Sequence, residues 1–415
     1  MSVSGFPEVV IVGAARTPIG VKCGTLSGFA PEDLAALACE EAIRRSGMDR
    51  QRIDAAIGAN VYQYTAPGAQ DIYFPRNVAL RCKLKTETPG LMVQRICGSG
   101  LQTIVNGFQQ IALPDSVDSG KVVLCFGAET MSRTPQVIRS PRRRSNFWEF
   151  TEGGAVEDTL LAGLQHDLAN TSMMLTADEY GSQMGVTRAE CDEFAAQSHT
   201  RARAAYRESH LNGGEALKGM FALDATDLTG REVHLARDEC VRKTGVEALA
   251  KLAALTPHGL VTAGNASEIC DGAAAVVVAD RKVAEAAGWP FRYAVAGYGV
   301  CGVDPRVMGR GPVPSVQQAL AKAGLKQSDV GLWEINEAFA AQYLGVEKEL
   351  GLDREIVNVN GGAVAIGHPL AATGLRMTVD LIYEMQRREV RFGCASACIG
   401  GGQGVALIVR DLEKT

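Results

Sequence analysis

A chain of 415 residues with 46% hydrophobic and 21% charged residues has the composition and length of a globular protein with a large core. These fractions exclude a disordered or fibrous chain. The net charge of −5 offers no basic excess, so we expect no nucleic-acid partner. No apolar run approaches the roughly 18 residues that a membrane-spanning helix requires, so we expect no membrane span.

Cysteine use and the N-terminal residues bear on metal binding and location. Eleven cysteines, an odd number without a repeated spacing, indicate reduced thiols rather than a disulfide framework. Cys394 and Cys398 form one CxxxC pair with no second pair of ligands nearby, so we predict no metal site. Residues 1–5 carry no positive charge, and the apolar stretch 9–12 is too short for a signal peptide. We therefore expect a cytoplasmic protein.

Strand and helix signals alternate along the chain. Residues 9–13 form an apolar run bounded by turn formers, which favours a buried strand, and Pro31 opens a helix to about residue 45. Further strands are predicted at residues 121–126, 273–279 and 405–409. Such alternation is typical of an α/β protein with central sheets.

The stretch from about residue 131 to 258 is richer in charge and indicates mainly helices and loops. Residues 187–207 predict a helix, because Thr187 and Glu190 have the spacing of a capping box. The arginine-rich run 140–145 predicts an exposed loop, with a phosphate contact as the alternative. We therefore divide the chain into a first half at residues 1–130, completed by about 259–280, an inserted domain at 131–258 and a second half at 281–415.

Cys97 is a candidate nucleophile. It precedes three small residues and a helical run at 101–113. A cysteine at a helix N-terminus has its thiolate favoured by the helix dipole, and small neighbours leave room for a substrate. A buried structural cysteine is the alternative, because cysteine is among the most buried residue types.

Two segments near the C-terminus supply candidate acid/base groups. His368 lies between Gly367 and Pro369 before a predicted helix, where it could act as the general base for a thiol, with a core histidine as the alternative. The glycine-rich run 398–404 could direct backbone N–H groups at an anion, and Cys398 at its start is a second acid/base candidate. That run lacks the lysine of a P-loop, and its spacing excludes a dinucleotide-binding motif.

Asn336 follows the strand-like residues 332–335 and precedes a helical stretch. Its side chain could hold a water molecule or a carbonyl oxygen. A helix cap is the alternative, because asparagine commonly caps helices.

Together these segments resemble the thiolase family, and the resemblance covers essentially the whole chain. Residues 10–20 are similar to the family's opening, and the segment 261–267 is similar as well. Four segments are similar to the family's active-site motifs, in its order: Cys97-Gly98-Ser99-Gly100, Asn336-Glu337-Ala338-Phe339, Gly367-His368-Pro369 and Cys398-Ile399-Gly400-Gly401-Gly402. The resemblance implies two similar α/β halves in a five-layer αβαβα sandwich with an inserted helical loop domain. It also implies a homodimer, often paired into a homotetramer.

The resemblance implies a CoA-dependent thiolase with a ping-pong mechanism, which condenses two acyl-CoA molecules or cleaves a 3-oxoacyl-CoA. Cys97 would carry the acyl group as a thioester after His368 takes its proton. Cys398 would move a proton at the α-carbon of the second acyl-CoA, while Asn336 holds a water that stabilises the enolate oxygen together with His368. The backbone N–H groups of Cys97 and Gly400 would form the oxyanion hole.

The resemblance also implies that CoA, a co-substrate rather than a tightly bound cofactor, lies across the inserted domain. Ser267 matches the family serine at the pantetheine arm. Arg242 matches the arginine beside the adenine, with a surface charge as the alternative. Met173, Met308 and Phe339 match apolar residues at the substrate end, and core packing is the alternative for the two methionines.

Some positions depart from the family's pattern. Ser172 stands where histidine or proline is usual, Met174 where glycine is usual, and Arg310 where a small or uncharged residue is frequent. Since Ser172 and Met174 would lie near the acyl pocket, we hypothesise a substrate other than acetoacetyl-CoA. Two further interpretations stay open: an acyltransferase of this fold, acting on a non-CoA acceptor as part of a complex, and a non-catalytic acyl-CoA-binding or scaffold protein. The presence of both Cys97 and Cys398 favours the thiolase.

Overall fold

The computed structural model describes residues 7–113, 120–138 and 156–414. Its α-helices are α1 (Pro31–Ser46), α2 (Phe74–Arg81), α3 (Ser99–Ala112), α4 (Thr159–Gly163), α5 (Met173–Gln183), α6 (Arg188–Arg207), α7 (Val246–Leu249), α8 (Arg281–Ala287), α9 (Pro312–Ala323), α10 (Ala340–Leu350), α11 (Ala363–Ile366) and α12 (Leu370–Arg388). Its strands are β1 (Val9–Arg16), β2 (Gly20–Val21), β3 (Ala55–Ala59), β4 (Gly90–Met92), β5 (Val122–Thr130), β6 (Gln136–Ile138), β7 (Val156–Asp158), β8 (Gln165–His166), β9 (Thr171–Ser172), β10 (Leu223–Thr226), β11 (Glu232–Leu235), β12 (Cys270–Asp280), β13 (Tyr293–Gly302), β14 (Leu332–Ile335), β15 (Phe392–Ile399) and β16 (Gln403–Asp411).

The main sheet consists of two groups of strands. The first has the order β4-β3-β5-β12-β1, and the second has the order β13-β16-β15-β14. They meet where β1 pairs with β13 through two residue pairs, Val10 with Ala294 and Ile11 with Tyr293. The remaining neighbours within each group pair along most of their length, so each group is a sheet in its own right joined to the other at one edge.

Helices cover both faces of each group. On β12, Ala275 and Val277 pack with α1 and α2, whereas Val276 and Val278 pack with α3 and α12. The far face of the second group packs against α9 and α10. Because β12 is buried on both faces, its central residues 273–279 form a continuous apolar run. The layers are therefore helix, sheet, helix, sheet and helix, which confirms the predicted five-layer αβαβα sandwich.

The chain between β5 and β12 departs from the main sheet. It contributes α4 to α7, and also three two-stranded pairs, β6 with β7, β8 with β9 and β10 with β11, which the sequence analysis did not predict. Helix α6 begins after Thr187, whose hydroxyl accepts the Glu190 N–H while the Glu190 carboxylate accepts the Thr187 N–H, so the predicted capping box is confirmed. The arginine-rich run 140–145 lies outside the described residues.

Two strands are longer than the sequence predicted. Their predicted ends lay at or next to small residues, which are also common in turns. β1 runs past Gly13 to Arg16, and β5 runs past Gly127 to Thr130. A Cβ at Gly13 would lie 2.2 Å from the Ala42 carbonyl oxygen of α1, and a Cβ at Gly127 would lie 2.3 Å from the carbonyl oxygen of Ala371. These glycines allow helices to approach the strands closely.

Among the residues that the structure describes, no helix is both long and apolar enough to cross a membrane.

Candidate active site

Cys97 lies in the short turn Ile96–Gly98 immediately before α3, as predicted, and is buried. The small residues after it have a different purpose from the predicted room for a substrate. A Cβ at Gly98 would lie 2.5 Å from Ile399 Cδ1, and a Cβ at Gly100 would lie 2.7 Å from the Ala371 carbonyl oxygen. The motif is small because β15 and α12 pack directly on the start of α3.

The Cys97 thiol is protonated rather than ionised at neutral pH. Burial raises its pKa to about 11, and the Glu129 carboxylate acts in the same direction. The backbone N–H groups of Gly400 and of Cys97 itself lower the pKa, because both donate to the sulfur. The helix start therefore does not produce a thiolate by itself, contrary to the expectation from sequence. The sulfur needs a base.

His368 has the protonation state that a base requires. Burial and the Arg376 guanidinium lower its pKa to about 3, so the imidazole is neutral. Nδ1 lies 2.6 Å from Thr373 Oγ1, and Nε2 lies 3.4 Å from Asn336 Nδ2. Because the asparagine N–H donates to Nε2, the ring proton resides on Nδ1 and is donated to Thr373. The unprotonated nitrogen is Nε2.

Asn336 follows β14, where its N–H donates to the Ser396 carbonyl oxygen at 2.9 Å. It is not a helix cap, because α10 begins at Ala340 and its N-cap is Phe339. Its Oδ1 is buried and has no hydrogen-bond partner within the described residues. A buried acceptor of this kind is suited to hold a water molecule.

The Glu337 side chain, next to Asn336, forms hydrogen bonds with three separate parts of the chain. Its carboxylate accepts from Ser198 Oγ of α6 at 2.8 Å, from Asn358 Nδ2 at 2.8 Å and from the Val364 N–H of α11 at 3.1 Å. Burial raises its pKa, and these hydrogen bonds lower it. The sequence analysis gave Glu337 no function beyond its place in a motif.

Cys398 lies at the end of β15, opposite Gly404 of β16, and is fully buried. Burial raises the pKa of its thiol, and Cys97 raises it further, so the two sulfurs are close enough to interact. The glycines after it form the tight turn into β16, with φ of 83° at Gly401 and 82° at Gly402. A Cβ at Gly402 would lie 2.4 Å from the Val303 carbonyl oxygen, so this turn requires glycine.

The three apolar residues predicted at the substrate end meet around Cys398. Met308 belongs to the same buried cluster as Cys398, and Met173 and Phe339 pack against that cluster. Met173 also reaches the next turn, because its Sδ lies 3.1 Å from the position of a Cβ on Gly400. The structure thus places all three beside one catalytic candidate.

Ser267 and Arg242 lie beside the site with partners inside the chain. Ser267 Oγ donates to the Ala338 carbonyl oxygen at 2.9 Å. Arg242 is half exposed, and its guanidinium lies 3.1 Å from the Glu268 carboxylate. The Glu268 carbonyl oxygen in turn accepts the backbone N–H of His368 at 3.3 Å, so Glu268 connects Arg242 to the backbone of His368.

An apolar wall of buried side chains beside Cys97 was missed by the sequence analysis. Tyr62, Met131, Leu160 and Leu370 form one buried cluster with Cys97. The Tyr62 hydroxyl donates to the Leu160 carbonyl oxygen at 3.0 Å. These residues come from four separate parts of the chain, so no local pattern could have indicated them.

Comparison with known proteins identifies the family of this chain. The family models described as "Thiolase, N-terminal domain" and "Thiolase, C-terminal domain" match residues 9–282 and 290–411. The chain belongs to the thiolase family. The mitochondrial 3-ketoacyl-CoA thiolase of Mus musculus is 39% identical over 97% of this chain and 98% of its own. The acetyl-CoA acetyltransferase of Pseudomonas aeruginosa is 39% identical over 97% of this chain and all of its own.

Solved structures of the family have the same fold. The human mitochondrial 3-ketoacyl-CoA thiolase in complex with CoA superposes with a TM-score of 0.89 at 38% identity, covering 98% of each chain. The acetyl-CoA acetyltransferase of Bacillus anthracis superposes with a TM-score of 0.89 at 37% identity, covering 98% of this chain and all of its own. The predicted family and fold are therefore confirmed.

The departures from the thiolase pattern have local explanations. Ser172 is the N-cap of α5, and its hydroxyl accepts the Leu175 N–H at 3.4 Å. Met174 is 38% exposed, one residue beyond Met173, which packs at the substrate end. Arg310 forms an ion pair with Glu349 at 2.7 Å. Arg310 therefore has a surface partner of its own.

Proposed function

We propose that this chain catalyses CoA-dependent acyl transfer of the thiolase type through a thioester on Cys97. It condenses two acyl-CoA molecules to a 3-oxoacyl-CoA and CoA, or cleaves a 3-oxoacyl-CoA with CoA in the reverse direction. The observation that carries this proposal is the proximity of two buried thiols, Cys97 and Cys398, while the neutral His368 lies directly before α12, whose first residue Leu370 packs with Cys97. CoA is a co-substrate, and no tightly bound cofactor is needed.

In the first half-reaction, the Cys97 sulfur attacks the thioester carbonyl of an acyl-CoA. Its proton passes to His368 Nε2 as the C–S bond forms, because the buried thiol is a weak acid and the buried imidazole is a weak base. The N–H groups of Cys97 and Gly400 converge on this point and stabilise the carbonyl oxygen as it becomes negative. The bond to CoA then breaks, and CoA leaves with the proton from the imidazolium.

In the second half-reaction, the Cys398 thiol passes its proton to His368 Nε2 and, as thiolate, removes a proton from the α-carbon of a second acyl-CoA. The enolate oxygen is stabilised by the Nε2–H of the protonated His368 and by a water on Asn336, whose Oδ1 has no hydrogen-bond partner among the described residues. The α-carbon attacks the thioester carbonyl on Cys97, and the C–S bond to Cys97 breaks. The products are a 3-oxoacyl-CoA and free Cys97, whose sulfur takes the proton from His368, while Cys398 keeps the proton from the α-carbon.

The inserted segment is proposed to bind CoA. We assign residues 1–130 with about 259–280 to the first half, 131–258 to the CoA-binding insertion and 281–415 to the second half. Ser267 and the half-exposed Arg242 would contact the pantetheine arm and the nucleotide. The Arg242→Ala substitution tests this contact with the nucleotide. It should raise the KM for CoA more than the KM for an acyl-pantetheine.

The acyl group is proposed to be larger than the acetoacetyl group of acetoacetyl-CoA. The apolar wall of Tyr62, Leu160 and Leu370 beside Cys97 supports this proposal, because an apolar cavity gains free energy from each methylene that it buries. Equal or better turnover of acetoacetyl-CoA than of longer and branched 3-oxoacyl-CoA substrates would refute it. The direction of the reaction follows from the concentrations of CoA esters.

We propose that the chain forms a homodimer, which pairs into a tetramer. The edge strand β4 carries the exposed Leu91, and the nearby stretch exposes Tyr64, Tyr73 and Leu80. An uncovered strand edge with apolar neighbours is suited to pair with another chain. Light scattering should give the mass of an assembly for the wild type and a monomer for Leu91→Lys. The mouse relative is named as mitochondrial, and the cytoplasmic location of this chain stays a prediction.

Intact-protein mass spectrometry after incubation with a panel of acyl-CoA esters tests the function directly. An acyl adduct in the wild type that Cys97→Ala lacks would establish the nucleophile, and the best-labelling ester would identify the acyl class. Absence of any adduct while CoA still binds would favour a non-catalytic binder. An adduct without condensation or thiolysis would favour transfer to a non-CoA acceptor.

A further inference from the structure

Glu129 is a buried carboxylate without a function in the scheme above. It lies near the end of β5 and is 0% exposed. Within the described residues no basic side chain forms an ion pair with it, and the groups that act on it are hydrogen bonds and another acid, Asp271. A core carboxylate is costly unless it is hydrogen-bonded, so its partners define what it does.

Those partners lie on two separate segments. Glu129 accepts the Val61 N–H at 2.6 Å and the Tyr62 N–H at 3.2 Å. The Ala371 N–H in the first turn of α12 faces the carboxylate and lowers its pKa, and α12 lies directly against this strand, because a Cβ at Gly127 would be 2.3 Å from the Ala371 carbonyl oxygen. That N–H has no partner within its own helix, and Pro369 at the N-cap provides no side-chain cap. Glu129 therefore lies between the start of α12 and the segment at residue 62, which it holds by hydrogen bonds.

Both segments belong to the apolar wall beside Cys97. Tyr62 and Leu370 pack in one cluster with Cys97, and the same end of α12 carries Thr373, which binds His368 Nδ1. We propose that Glu129 is a positioning residue for acyl transfer, whose carboxylate fixes Tyr62 of this wall relative to the start of α12. The proposal rests on the proposed thioester at Cys97.

The charge of Glu129 also acts on the nucleophile. Burial raises its pKa to about 8, and ionised Glu129 raises the pKa of Cys97. The other titratable groups around it are Tyr62 and Asp271. Reach and charge can thus be varied separately: aspartate keeps the charge and shortens the side chain, and glutamine keeps the length and removes the charge.

The experiment compares Glu129→Asp, Glu129→Gln and the control Glu32→Gln. Glu32 is also fully buried with a raised pKa, but it lies in α1 of an outer layer. Each variant is assayed for kcat and KM with a 3-oxoacyl-CoA and CoA. The pH midpoint of Cys97 alkylation by iodoacetamide is followed on the peptide that contains Cys97. Thermal melting establishes that each variant is folded.

For Glu129→Asp we expect kcat to fall about tenfold or more with a smaller change in KM, because the walls are displaced. For Glu129→Gln we expect the alkylation midpoint to move to lower pH by about half a unit or more, because a nearby negative charge is lost. Glu32→Gln should change neither quantity. If one Glu129 variant fails to fold, the other still decides the question.

Two results would overturn the proposal. One is a folded Glu129→Asp variant with the wild-type kcat, or a folded Glu129→Gln variant with both the wild-type kcat and the wild-type alkylation midpoint. The other is an equal effect of Glu32→Gln. The wild-type acyl adduct on Cys97 is measured first, so that failure of the proposed function, which is absence of the adduct, is separate from failure of the positioning role.

Discussion

Asn336 Nδ2 lies 3.4 Å from His368 Nε2, and this contact joins two side chains that approach the site from different strands and loops. The amide donates to the ring, which leaves Asn336 Oδ1 buried and unpartnered within the described residues. One side chain thereby fixes the tautomer of the base and keeps an acceptor for water.

Asn336→Ala should separate the two half-reactions. We expect kcat for condensation and thiolysis to fall about 10²- to 10³-fold, because the enolate oxygen loses a hydrogen-bonded water. Formation of the Cys97 thioester should change much less. Steady-state rates and the time course of the acyl adduct by mass spectrometry provide the two measurements. An equal loss in both would contradict the assignment of Asn336 to the enolate.

Cys398→Ser should retain the acyl adduct on Cys97 but lose proton removal at the α-carbon, because a serine hydroxyl is a far weaker acid than a thiol. Exchange of the α-hydrogens of an acyl-CoA with D₂O measures this step without condensation. Cys394→Ala is the matched control, because Cys394 is a buried cysteine of the same strand that packs in the outer core. Wild-type exchange in Cys398→Ser would exclude Cys398 as the base.

Thr373→Val should lower kcat about 10- to 100-fold, because His368 Nδ1–H loses its acceptor at 2.6 Å and the ring its fixed orientation. The acidic limb of the pH–rate profile should also move, since the hydrogen bond sets the basicity of Nε2. Thr373→Ser keeps the hydroxyl and should restore most of the activity. A valine variant as active as the serine variant would exclude this function of the hydroxyl.

Acid should destabilise the folded protein through its buried histidines. The pKa is about 3 for His368 and about 4 for His199, both lowered by burial and a nearby arginine from an ordinary value of 6.5. Between these values the unfolded chain binds protons that the folded chain excludes. The stability that the two neutral histidines contribute is therefore fully present above pH 6.5 and falls as the pH decreases toward 4, by up to about 1.4 kcal/mol per pH unit for each histidine.

Urea unfolding at several pH values between 7.5 and 4.5 measures this slope. His199→Gln should reduce this slope by up to one proton. A slope in His199→Gln equal to that of the wild type would contradict the prediction.

Gly127→Ala should destabilise the fold by about 1–3 kcal/mol, because a Cβ would meet the Ala371 carbonyl oxygen at 2.3 Å and push α12 away from β5. Gly245→Ala is the control, because the nearest atom there is a Glu247 carboxylate oxygen at 3.4 Å. Denaturant midpoints of both variants decide the comparison. Equal midpoints would show that α12 can shift at little cost.

Most elements of the fold could be predicted from the sequence, because the thiolase motifs and the alternation of strand and helix signals are local patterns. The buried strand at residues 273–279, the helix from Pro31 and the capping box at Thr187 were all predicted and occur in the structure. The early ends of β1 and β5 were wrong for one reason. A glycine that permits close packing of a helix has the same sequence signal as a glycine in a turn.

The motifs of the site could be predicted from the sequence, but the burial, pKa values and tertiary partners of its side chains could not. Cys97, His368 and Cys398 could be named in advance, yet burial outweighs the expected effect of the helix start on the pKa of Cys97. Thr373, five residues after His368, could have been found from its place in the first helical turn. Glu129 had one signal, a charged residue inside an apolar strand, but its partners at residues 61, 62 and 371 are set by tertiary packing.

The middle helical layer of the sandwich determines how slowly the backbone around the site opens to solvent. Helices α3 and α12 are covered by a sheet on each side, and Cys97 and His368 lie directly before their first turns. Amide hydrogens in such helices exchange with solvent only when the whole molecule opens. We therefore expect deuterium to enter α3 and α12 last, so that the reactive groups are attached to the slowest-exchanging part of the chain.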